Sequence, residues 1–189
     1  MQKKFTRFLL GSALALVATF LVSPPESVHA ATRTATTCNQ ADVQTAINAA
    51  VDGDTVMIPA GTCIWTSRLT IDGKYLTLQG AGMDQTIIVD GEGKVGDPVL
   101  DHVVLQVNPG TGGLTRITGM TFDGGTGNRD QPTVPMVAVG AGSLTWRIDH
   151  VHFISRRTSA LVVFASGGVI DNCVFDMYAF SPGIYGFNG

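Results

Sequence analysis

Ile148-Asp-His-Val-His-Phe153 decides how this chain folds, because the sequence says nearly the same thing on either side of it. Ile117-Thr-Gly-Met-Thr-Phe122 precedes it and Ile170-Asp-Asn-Cys-Val-Phe175 follows, with the isoleucines, and equally the phenylalanines, 31 and then 22 residues apart. Each copy is apolar at its first, fourth and sixth places. The period of two expected of a strand therefore breaks between the first and the fourth. The third place explains the break: Gly119, His150 and Asn172 are residue types that tolerate or are enriched in the left-handed αL region. Each copy is predicted to be the end of one strand, a sharp αL bend and a second short strand. A unit of about 22 residues containing such a bend predicts stacked β coils, in which every turn buries its apolar residues against the next.

The 189 residues allow one domain, and 44% hydrophobic with 14% charged residues marks a globular chain. A formal charge of −3 leaves no basic footprint for nucleic acid. Lys3, Lys4 and Arg7 form a basic head, Phe8 to Val22 an apolar core, and Val28-His29-Ala30 presents small residues before Ala31. Residues 1–30 therefore read as a secretory signal peptide. The apolar core of 15 residues falls short of the roughly 20 that a membrane span needs, so no stable span is expected once the leader is removed. Removal takes away three basic residues and Glu26, leaving a formal charge of −5. The expected location is secreted, periplasmic or cell-surface. In such an oxidising compartment Cys38 and Cys63, which flank the first helix and strand, are the natural disulfide pair. Cys173 takes an inward place of the repeated phrase and reads as a buried free thiol.

Residues 31–37, rich in Ala and Thr, read as a flexible lead-in to a domain over 38–189. Asn39 with Asp42 resembles an N-cap, and Val43, Ala46, Ile47 and Ala50 fall on one face of a helix expected over about 39–51. A lone amphipathic helix ahead of many strands would cover the open end of a stack of coils. The coils begin at about 54. Val103–Val107, Val137–Val139 and Leu161–Phe164 each precede one phrase by about ten residues, which gives three strands per coil. The sequence stops within a strand that starts at Ile184, so it reads as the N-terminal part of a longer β-helix.

The run from Cys38-Asn-Gln-Ala-Asp-Val through Gly53-Asp-Thr-Val-Met-Ile-Pro-Ala-Gly-Thr-Cys63 to Leu76-Thr-Leu-Gln-Gly-Ala-Gly82 resembles the capping helix and first coil of secreted bacterial proteins of the pectin-lyase-like superfamily. The resemblance covers residues 38–189 and implies an all-β, right-handed parallel β-helix. It does not choose a reaction, because that superfamily contains lyases, hydrolases, epimerases, adhesins and tailspikes. It implies contact with polysaccharide, possibly rich in uronates. The chain is expected to be part of a pectate-lyase-like enzyme or, alternatively, a non-catalytic glycan-binding or adhesin-type scaffold.

Trp146-Arg-Ile-Asp-His150 is similar to the Trp-Ile-Asp-His element of pectate lyases, with Arg147 added. Asp149 and His150 read either as groups near the substrate or as parts of the repeat. The repeat favours the second, since Asp171 matches Asp149 and His150 shares the bend with Gly119 and Asn172. Side chains stacked at that bend are expected to hydrogen-bond from coil to coil as a ladder. The strand that usually floors the family's substrate groove is here Val137–Val139 and then Leu161–Phe164. It lacks a carboxylate to bind Ca²⁺ or to act as acid or base. No cofactor is required for the fold, and Ca²⁺ is possible only under the lyase reading. The loops offer Arg129, Asp130, Arg156, Arg157 and Asp176 on one side, with Asp123 opening the first. The arginines can bind uronate carboxylates, or one can act as the lyase base. As solvated charges they would instead form weak ion pairs worth about 0–1 kcal/mol. Zinc-type His/Cys spacings and a phosphate-binding Gly-rich loop are absent from the sequence.

Overall fold

The computed structural model describes residues 29–91, 103–126, 135–140, 145–156, 159–164, 167–178 and 183–186. One helix, α1 (Gln40–Ala49), stands among strands β1 (Thr32–Thr34), β2 (Thr55–Ile58), β3 (Gly61–Trp65), β4 (Leu69–Lys74), β5 (Thr77–Gly80), β6 (Thr86–Asp90) and β7 (Leu105–Pro109). There follow β8 (Thr115–Asp123), β9 (Pro135–Val139), β10 (Trp146–Ser155), β11 (Ser159–Val163), β12 (Val169–Asp171), β13 (Val174–Met177) and β14 (Ile184–Gly186).

Every strand pair is parallel, and the pairs sort into three ladders. One runs β1-β2-β5, then through the first halves of β8 and β10 to β12. A second runs β3-β6, then through the second halves of β8 and β10 to β13. The third is a separate five-stranded sheet, β4-β7-β9-β11-β14. From β2 onward the chain visits the three in the same order each time. An all-β chain of parallel sheets connected in this way is consistent with a β-helix-like solenoid.

The repeated phrases lie side by side in the register their sequences suggest. Ile117, Ile148 and Ile170 are Cα partners, as are Phe122, Phe153 and Phe175. The bend falls at the third place, where φ is 70° at Gly119, 50° at His150 and 51° at Asn172. That bend passes one continuous strand from the first ladder to the second and turns both apolar halves inward. The phenylalanines form a stacked column, with ring centroids 5.8 Å apart between Phe122 and Phe153 and 5.1 Å between Phe153 and Phe175. Leu69, Leu105, Val137 and Leu161 form the buried row of the third ladder. Contact between successive strands is tight at the bend itself: a Cβ on Gly80 would run into the carbonyl oxygen of Gly119.

Helix α1 closes the edge of this arrangement by side-chain hydrogen bonds as well as by burying Val43 and Ile47. Gln44 donates to Thr70 O at 3.0 Å and accepts from Thr70 N at 2.9 Å, so one side-chain amide occupies both backbone groups of an edge-strand residue. Lys74 Nζ donates to the carbonyls of Ile47, Asn48 and Ala50, setting a cation on the C-terminal end of the helix. The N-terminus differs from the expected cap. Asn39 makes no side-chain cap bond; Thr37 Oγ1 instead accepts from Asn39 N and donates to Asp42.

Residues 31–37 are corrected from a flexible lead-in to an ordered segment. Thr32–Thr34 adds a parallel strand to β2, and Arg33 pairs with the buried Asp54 at 2.7 Å. Composition hides this, because the segment is held mainly by hydrogen bonds and one ion pair, with Ala35 alone buried in the core. Cys38 and Cys63 form the disulfide, 5.8 Å apart at Cα, and Trp65 Nε1 donates to Cys38 O beside it. Closing a loop of 25 residues is expected to contribute about 3 kcal/mol, so thermal unfolding under reducing conditions should shift down by roughly 6–12 °C. An unchanged melting temperature on reduction would contradict that role. Cys173 is free and half-buried, and burial pushes its thiol pKa up, so it is not activated as a nucleophile.

Candidate functional site

Two groups of polar side chains are built on the repeated phrases, and they have different characters. The first sits on the first ladder. Arg116 and Arg147 are register partners, and so are Thr118, Asp149 and Asp171. The bonds run diagonally between them. Arg116 grips both carboxylate oxygens of Asp149 at 2.7 Å, and Arg147 grips both of Asp171 at 2.9 and 2.7 Å. Asp149 also accepts from Thr118 at 2.7 Å and lies 3.0 Å from Arg147 Nε, with its own side chain fully covered. Arg116 above all, then the His150 and Thr118 bonds, hold its pKa well below the usual carboxylate range against the opposing effect of burial. Asp171 is shifted down as well, chiefly by Arg147. Both are anions at neutral pH, and each is held by an arginine of the neighbouring strand.

The expected hydrogen-bond ladder between the bend side chains is corrected here. His150 Nδ1 faces Asp149 at 2.8 Å and Asn172 Nδ2 donates to Asp171 at 2.9 Å, so each bonds within its own phrase. The polar links to each aspartate come from the strand before it, through Arg116 and Thr118 to Asp149 and through Arg147 to Asp171. Arg147, an insertion relative to the Trp-Ile-Asp-His element, is one of those links.

The second group lies on the outward side of the second ladder. His152 pairs in register with Thr121 and Val174, and Ile154 with Asp123 and Asp176, which brings the outward side chains of three strands together. Arg156 reaches across to Asp123, with Nε 3.0 Å and Nη2 3.3 Å from the two oxygens, and Gly125 N also donates to that carboxylate. The Arg156 guanidinium carbon stands 5.4 Å from the centre of the Tyr178 ring, a cation–π arrangement. Tyr178 is held in place by its own N–H, which donates to Ser155 O at 3.0 Å. His152 Nε2 lies 2.9 Å from Asp176 Oδ2. The Asp123 carboxylate raises the Arg156 pKa above its ordinary value, so Arg156 is a fixed cation and is poorly suited to take up a proton.

No protein-family model, curated protein or solved structure matches this chain.

Of the residues singled out from sequence, Asp123, Arg156 and Asp176 come together in this group, while Arg129, Asp130 and Arg157 lie outside the described residues. Asp176 is corrected from a loop position to the interior of β13, and Asp123 is the last residue of β8. Tyr178 and the His152–Asp176 pairing were not legible as site features. A phrase-to-phrase alignment extended past the phenylalanine would have aligned Arg156 with Tyr178, since each lies three residues beyond it. The strand expected to floor a groove is different in kind: Ala138 and Val162, on its outward face, are buried with Val103 in a second apolar cluster, against which the partly buried Phe164 packs. Among the described residues no three His, Cys, Asp or Glu side chains converge as metal ligands, and no helix is long and apolar enough to cross a membrane.

Proposed function

We propose that this chain is an exported right-handed parallel β-helix of the pectin-lyase-like kind, built of three-strand coils, and that it holds an acidic polysaccharide on the outward face around Arg156 and Tyr178. The cyclic return to three parallel ladders supports the coils, and the right hand follows from the crossover preference of parallel strands, about 98%. The leader pattern of residues 1–30 and the Cys38–Cys63 disulfide support export.

One observation carries the binding reading: a guanidinium 39% exposed stands over an exposed tyrosine ring. A uronate sugar presents an apolar C–H face and a carboxylate. Tyr178 offers the first a flat surface, and Arg156 offers the second a planar pair of donors. Asp123 fixes the guanidinium before the ligand arrives, which limits the entropy lost on binding. Electrophoresis through gels containing polygalacturonate is expected to retard the protein, whereas dextran gels should not. Arg156→Ala is expected to weaken that affinity by about 10-fold or more, and Tyr178→Ala to weaken it by several-fold. Equal mobility in both gels would sink the proposal.

A catalytic reading is favoured by the His152–Asp176 pair on the same face, 2.9 Å apart, an acid–base arrangement within reach of a bound sugar. It requires unsaturated products, seen as ultraviolet absorbance when polygalacturonate and Ca²⁺ are supplied. Retardation without absorbance assigns these coils to glycan binding, as in an adhesin-type scaffold.

A further inference from the structure

Asp54 is a fully covered carboxylate, and two of its partners are Ala31 and Arg33. Its Oδ1 accepts the Ala31 N–H at 2.8 Å, and its Oδ2 accepts Arg33 Nε at 2.7 Å and Val51 N at 3.0 Å. Ala31 is held at its other end too, where its carbonyl accepts Thr55 N at 2.8 Å. The register of β1 on β2 starts at the next residue, Thr32 against Thr55. Ala30 is exposed. Ala31, bonded at both its N–H and its carbonyl, therefore directly follows the bond at which the Val28-His29-Ala30 pattern puts leader cleavage.

We propose that Asp54 is the receptor for the new amino terminus made by cleavage between Ala30 and Ala31, so that leader removal itself locks β1 onto the fold. The inference rests on reading residues 1–30 as a cleaved leader. Hydrolysis adds water across the Ala30–Ala31 amide; Ala30 leaves as a carboxylate, and the Ala31 amine takes a proton to become an ammonium. In the precursor Asp54 receives one neutral amide N–H at this position. In the cleaved chain the same nitrogen carries a full positive charge against a buried carboxylate, and charge-assisted bonds of this kind are about twice as strong as neutral ones. Hydrogen bonds from Val51 N, Ala31 N and Arg33 hold the Asp54 pKa at about 2, so the receptor is anionic before the ammonium forms. The leader-bearing chain lacks this ion pair and is the less stable form, which suits a chain that has to cross a membrane before it folds.

The test uses the full-length chain exported from a bacterial host, with the amino terminus read by mass spectrometry. A second exported chain carries one glycine inserted between Ala30 and Ala31, which moves the ammonium one residue away from Asp54. The expected results are a wild-type terminus at Ala31, a melting temperature about 4 °C or more lower for the glycine-inserted chain, and loss of that gap in the Asp54→Asn background. Should the Asp54→Asn chain fail to fold, the wild-type amine alone decides. Paired with Asp54, its pKa rises by a unit or more, and it should react with acetic anhydride near neutral pH about 10-fold more slowly than the unfolded chain does. A terminus at Ala31 with no gap, with a gap that persists in the Asp54→Asn background, or with an amine that reacts as in the unfolded chain overturns the receptor role and leaves the leader reading intact. An uncleaved chain, or a terminus elsewhere, overturns the leader reading itself.

Discussion

Asp149→Ala is expected to destabilise the fold by about 3 kcal/mol, a large effect for a residue that resembles a catalytic one. Removing a partner from a buried ion pair typically costs about 3–5 kcal/mol because the remaining charge loses its compensation. The lower end applies here, since Arg116 and Arg147 are each about a third exposed and water can partly replace the carboxylate. Arg116→Ala removes the same contact from the other side. A cycle of the two single variants and the double should therefore show clear coupling by urea unfolding. The pH dependence has a definite sign. Asp149 has a folded pKa below its ordinary 3.8, so its contribution is fully present above about pH 4 and is lost as the pH falls through the folded value. Wild type should lose stability below pH 4 more steeply than Asp149→Ala does. If Asp149→Ala instead abolished polysaccharide binding while unfolding at the wild-type urea concentration, Asp149 would be a substrate group and not part of the fold.

Phe153→Ala should be at least as damaging, at about 3–5 kcal/mol, because it removes the middle ring of the column. Phe153 is fully buried and stacks on both Phe122 and Phe175, and each such contact adds about 0.5–1.5 kcal/mol to simple burial. Phe175 is only half-buried and touches one ring of the column, so Phe175→Ala should cost clearly less. Equal losses at the two positions, measured by urea unfolding, would contradict the stacked column.

The fold was legible where one residue type recurs for one steric reason. A left-handed bend restricts its own position to Gly, Asn, His and similar residues, so three copies of it stand out even though only the isoleucines and phenylalanines are identical around it. The arginine–aspartate links were not legible, because the partners are 33 and 24 residues apart and sit diagonally across the register. The first phrase also has Thr118 where its sisters have aspartate, so the pattern is present in only two copies. Strand β1 escaped notice because Asp54, 21 residues beyond Arg33, supplies the charge that holds it. In the outward group the spacing past each phenylalanine carries the information, but the polar composition that begins at Asp176 resembles a loop. Once it is in β13, the register that ends with Ser155 against Met177 sets Arg156 beside Tyr178, and His152 meets Asp176 on the diagonal, two residues beyond its partner Val174.

Register is therefore the most direct test. In isotope-labelled protein, the amide and α-proton Overhauser contacts of His152 should run to the strand of Thr121 on one side and to that of Val174 on the other, in the staggered pattern of parallel neighbours. Contacts from β10 to an antiparallel partner, or to β8 offset by even one residue, would contradict the stacking of the three phrases on which the account depends.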